Sequence, residues 1–165
     1  MQFKSVALVA SAIMFAACGG GSETTPATET PAAAAPAAEA APAAGPVTMA
    51  PATGTVHEIK MVGDDKGYRF EPANLTIKSG DAIKFVAVSG FPHNVAFNGA
   101  TLAPAVKSQL DANFGTARLA ELSSQMYLAA NEGFTLSFAN IPAGAYEYNC
   151  TPHLAMNMKG VITVQ

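Results

Sequence analysis

Apolar and polar residues alternate over Thr55–Val62, TVHEIKMV, the period of a strand with one face in a core and the other in water. Similar short runs recur down the second half of the chain. Ala73–Lys78 follows Pro72, and Lys78-Ser79-Gly80-Asp81 makes a turn into Ile83–Gly90. Asn94–Asn98 forms another run, and Gly133–Asn140 puts Phe134, Leu136 and Phe138 on one face. Pro142-Ala143-Gly144 turns the chain into Tyr146–Cys150, and Gly160–Gln165 closes it. Strand-sized runs separated by turn residues predict an all-β sandwich or barrel. Leu102–Ala130 breaks the pattern. Leu119, Leu122 and Met126 stand at helical spacing there, so one or two short helices are expected in the 102–130 insertion.

The first 53 residues read differently. Lys4 precedes a largely apolar run, Val6–Ala17, too short to span a bilayer and of signal-peptide type. It ends in Phe15-Ala16-Ala17-Cys18, which resembles a bacterial lipobox, so residues 1–18 are expected to be a lipoprotein signal with Cys18 the lipidated residue. Residues 19–53 are mostly Ala, Pro, Thr and Gly with only Glu23, Glu29 and Glu39 charged. Such a chain buries too little apolar surface to offset its ordering entropy, and its prolines forbid a continuous helix. It is expected to be a disordered linker, long enough at roughly 3 Å per residue to reach on the order of 100 Å fully stretched. Residues 54–165 then form the single folded domain.

That domain carries eight basic and nine acidic residues. The balance excludes the basic patch that nucleic-acid binding needs. Its one cysteine, Cys150, has no internal disulfide partner, so an exported protein would put the thiol to another use or bury it.

The segment Tyr146–Gly160, YEYNCTPHLAMNMKG, suggests that use. Alternation turns Tyr146, Tyr148 and Cys150 inward, Pro152 ends the strand, and His153 follows on a loop with Met156 and Met158 beyond it. A second imidazole, His93, sits in SGFPHNVAF at the start of a strand. A thiolate, two imidazoles and a thioether are the donor set of a blue copper site, whereas a structural zinc site wants more thiolates and no thioether. His57 lacks such a setting and reads as an ordinary surface residue.

Ser89–Phe97 and Tyr146–Val164 resemble the two copper-ligand segments of plastocyanin and pseudoazurin, blue copper proteins of the cupredoxin fold. The resemblance implies a Greek-key β-sandwich holding one type 1 copper. It implies His93, Cys150, His153 and Met158 as ligands, with Met156 at the rim and Asn94 tying the two ligand loops together. It also implies an electron carrier rather than an enzyme. Electrons would pass at the edge of His153, through an apolar rim that includes Phe91, Pro92 and Leu154. Asn149 replaces a surface tyrosine of plant plastocyanins, and no acidic run follows Phe97, so photosynthetic partners are not implied. The expectation is a monomeric carrier in the bacterial cell envelope, anchored through Cys18 and serving membrane-associated redox proteins. A non-redox copper-binding or delivery protein is the alternative. A copper enzyme would need a further copper or an open coordination position, and His57 is the one histidine left.

Overall fold

The alternation of Thr55–Val62 becomes strand β1, Val56–Asp64, whose Ile59 and Met61 are fully buried while Glu58 and Lys60 face water. A computed structural model describes residues 47–165. The expected signal segment, its Cys18 and the part of the expected linker up to residue 46 lie outside the described residues. The strands that follow are β2 (Gly67–Glu71), β3 (Asn74–Ile77), β4 (Ala82–Ala87) and β5 (Ala96–Phe97). After helix α1 (Pro104–Asn113) come β6 (Arg118–Ala120), β7 (Ser123–Ser124), β8 (Gly133–Ser137), β9 (Gly144–Asn149) and β10 (Lys159–Val164).

Two sheets result, ordered β2-β1-β4-β8 and β3-β10-β9-β5-β7-β6. The pairs β1–β4 and β3–β10 are parallel and the others antiparallel. This is the cupredoxin β-sandwich. Its core is a single cluster in which inward-facing Phe70, Phe85 and Tyr148 meet edge to face or tilted, with ring centroids 4.6–6.4 Å apart. Such arrangements suit the aromatic quadrupole and bury large areas.

The 102–130 insertion contains one α-helix. Pro104 opens α1, where its missing N–H goes unneeded. Buried Asn113 then ties the helix end to the sheet, donating through Nδ2 to the carbonyls of Ser137 and Ala139. The following TARLAELSSQMYLA, helical in composition, instead runs as a 3-10 turn and the short strands β6 and β7. Leu122 takes a positive φ of 55° and is buried, while Leu119 and Met126 point to solvent. The three apolar positions therefore never share a face. β2 is a strand that the sequence pattern does not announce.

Residues 47–53, read from the sequence as the end of the linker, lie against the domain. Ala50 N–H donates to Asn113 Oδ1, Gln109 Nε2 donates to the Thr48 carbonyl, and Thr53 N–H donates to the Gly80 carbonyl. His57 is half buried and paired, its Nε2 lying 2.9 Å from Asp81 Oδ2.

Candidate metal centre

Cys150 directly follows β9 and is buried in the core with no exposure. Its backbone closes the loop that follows, since Cys150 N–H donates to the Met158 carbonyl and its own carbonyl accepts from His153 N–H. Thr151–Met156 then coils as a 3-10 turn with Pro152 near its start, and Asn157 leaves it in the left-handed region at φ 62°. This tight turn brings His153 back over the thiol. His153 Nδ1 lies 3.4 Å from Cys150 Sγ, and the residue is 5% exposed although every other member of Thr151–Asn157 faces solvent.

His93 arrives from the other segment and is fully buried. It pairs with Tyr127 as an isolated antiparallel bridge, and its Nδ1 lies 3.6 Å from Cys150 Sγ. Its Nε2 lies 2.7 Å from the Ser89 carbonyl. A carbonyl only accepts, so Nε2 carries the proton of the neutral ring and Nδ1 keeps its lone pair toward the thiol.

One donor atom each from His93, Cys150 and His153 lie within 4.8 Å of one another. A metal held about 2.0–2.3 Å from nitrogen and sulfur donors spaces those donors about 3.3–4.0 Å apart. The observed 3.4 and 3.6 Å separations fit such an ion without rearrangement. Two imidazoles and a single thiolate on one ion match the type 1 copper set.

The electrostatics favour a ligand state over a charged one for both rings. Burial pushes the pKa of His93 below its ordinary value, against the pull of the Ser89 carbonyl. Burial, and then repulsion from His93, lowers that of His153. Burial pushes the Cys150 thiol up, opposed by the backbone N–H groups of Asn94 and His153. A buried thiol of this kind stays protonated until a cation compensates the thiolate, and metal binding then releases the proton.

Asn94 joins the two segments. Its Oδ1 accepts from Thr151 N–H at 2.7 Å, and its Nδ2 donates to Ser123 Oγ and Thr151 Oγ1, both at 3.2 Å. Met158 stands just before β10 with no exposure, its N–H donating to the His153 carbonyl, while Met156 is 54% exposed. Leu154 and Pro92 are exposed, and half-buried Phe91 meets His93 edge on with ring centroids 6.1 Å apart. His57 is not part of the cluster.

Two contacts escape a reading of the sequence. The Ser89 carbonyl is backbone and has no residue signature. Tyr68, in β2, stacks on His153 with ring centroids 3.8 Å apart and planes 18° from parallel. The two residues are 85 positions apart in the chain, so no local motif announces the pair.

A family model described as copper binding proteins, plastocyanin/azurin family, matches residues 57–165. Plastocyanin from Nostoc punctiforme is 38% identical over 69% of this chain and 77% of that protein. Chloroplastic plastocyanin from Physcomitrium patens is 32% identical over 74% of this chain, which spans 66% of that relative's length. Among solved structures, oxidized plastocyanin from Dryopteris crassirhizoma superposes with a TM-score of 0.51 at 29% identity, over 66% of this chain and 99% of the fern protein.

Proposed function

Because the chain belongs to the plastocyanin/azurin family of copper-binding proteins, we propose that it carries single electrons between membrane-associated redox partners. His93, Cys150, His153 and Met158 would hold one copper ion, which when bound supplies a one-electron couple at a fixed position. The observation that carries this reading is the convergence of Cys150 Sγ with the Nδ1 atoms of both histidines at metal-bridging distance.

The chain's own residues do the rest. Ser89 fixes the His93 tautomer, Asn94 laces the two ligand segments together, and the 3-10 turn after Cys150 sets the place of His153. Ligands braced in this way change little between redox states, which keeps the reorganisation accompanying each transfer small. Exposed Leu154, Met156 and Pro92, with half-buried Phe91 edge on to His93, would supply a small apolar rim beside the buried imidazole. A rim of this size suits brief redox encounters, which use interfaces below the standard size.

Anchoring belongs to the same proposal. Lipidation at Cys18 would hold the protein at the extracytoplasmic face of a bacterial membrane, and the linker would keep the domain at high effective concentration near its partners. Residues 47–53, bonded to the domain, would add no length to such a tether.

A copper-delivery protein is separated by exchange. The copper-loaded protein is cycled with a small inorganic oxidant and reductant in the presence of a competing copper chelator. A carrier completes many cycles with its copper retained. Passage of copper to the chelator within the first few cycles would favour delivery instead.

A further inference from the structure

The two histidines are not held alike. His93 is fixed by a hydrogen bond from Nε2 to the Ser89 carbonyl. His153 Nε2 has no hydrogen-bond partner among the described residues, and its neighbours on the 3-10 turn all face solvent. Yet the ring is 5% exposed and turned inward. What covers it is Tyr68.

We propose that Tyr68 is the positioning residue for His153, its ring forming the outer wall that keeps the imidazole turned toward Cys150. The proposal rests on reading His153 as a ligand. It is carried by three observations. Tyr68 stacks face to face on His153 at 3.8 Å and meets His93 edge on at 6.3 Å, so one ring touches both imidazoles. The space it occupies is cleared by two glycines. Gly63 lies opposite Tyr68 in the β1–β2 register, and a Cβ there would come within 2.6 Å of Tyr68 Cε1 and 2.8 Å of Gly90 Cα. A Cβ on Gly90 would stand 3.0 Å from the same Cε1 and would also collide with Gly63 Cα. Gly90 further needs its positive φ of 76° to form the turn before Phe91.

The floor of this slot is bonded to the site itself. The Ser89 carbonyl that accepts from His93 Nε2 also accepts from Gly63 N–H, and Ser89 Oγ donates to the Gly63 carbonyl. Slot, tyrosine and both imidazoles thus form one packed unit. A stack of two aromatic rings fixes a plane as a hydrogen bond fixes a tautomer. The phenol hydroxyl is not required by this role, so phenylalanine should replace tyrosine without loss.

The test uses the full metal-free chain. In the wild type, proton NMR should place the His153 ring protons upfield of those of His57, from the ring current of Tyr68. Diethyl pyrocarbonate should modify His153 slowly, as read by peptide mass mapping with His57 as internal reference. Tyr68→Phe should keep both properties. Tyr68→Leu should remove the upfield shift and speed His153 modification roughly two- to tenfold, the worth of one aromatic pair, with His57 unchanged. The proposal is overturned by wild-type His153 protons without an upfield shift. It is equally overturned if the Leu variant leaves His153 as protected as before, or if Phe exposes it as much as Leu does. Should Tyr68→Leu unfold, making all three histidines react alike, the wild-type shift and the Phe variant decide. A protein that shows the shift but takes up no copper contradicts the metal reading and leaves the stack standing.

Discussion

Asn94 shows how much of the site is carried by a residue that need not touch the metal. Its side chain is buried, and its amide makes three hydrogen bonds that bind the His93 segment to Thr151 and Ser123. Alanine would remove the acceptor of Thr151 N–H and the donor to Ser123 Oγ and Thr151 Oγ1, all part-buried bonds, and losing such a set costs about 1–3 kcal/mol. Asn94→Ala should therefore lower the unfolding free energy of the metal-free protein by about that amount, measured by urea denaturation. A change within a few tenths of a kcal/mol would show that the two ligand segments hold together without it. At this scale the donors are legible in the sequence. Cys150 and His153 are three residues apart, and His93 sits in a turn of distinctive composition. Tyr68 and the Ser89 carbonyl are not legible, because each acts through a contact that only the packed sheets create.

Among the elements, the start of β1 is pinned by one carboxylate. Asp81 accepts from Thr55 N–H and Lys78 N–H and pairs with His57, and these bonds hold its pKa down at about 2, the Lys78 amide contributing most. The folded pKa lies below that of an unfolded aspartate, about 3.9. The stabilisation is thus fully present above about pH 4 and is lost as the pH falls toward about 2. Stability measured against pH should decline across that window in the wild type, and Asp81→Asn should flatten the decline while lowering stability at neutral pH. An unchanged acid limb in the variant would assign acid sensitivity to other carboxylates. The strands themselves follow from period-2 alternation, most plainly in β1 and β9. Segment 116–129 misleads because its helical composition competes with β pairing, with the left-handed turn at Leu122, and with the Asp111 carboxylate that accepts from Leu122 N–H. The local β6–β7 pairing and the more distant partners Asp111 and Ala96 decide there together.

For the molecule as a whole, the two sheets serve to hold the ends of distant segments against one another. β9 delivers Cys150, the turn before β5 delivers His93, and Met158 is buried where the chain enters β10. The sandwich and its single core could be anticipated from turn spacing and alternation. The docking of residues 47–53 could not, since Ala, Pro and Thr make up most of them as they do the segment before. The central claim is that Cys150 binds copper as a thiolate between two imidazoles. Adding Cu(II) to the purified protein and recording its visible spectrum tests it most directly. An intense blue or green thiolate band that bleaches on reduction and is absent in Cys150→Ser is the predicted result. A colourless copper complex, or a band that survives in Cys150→Ser, would contradict it.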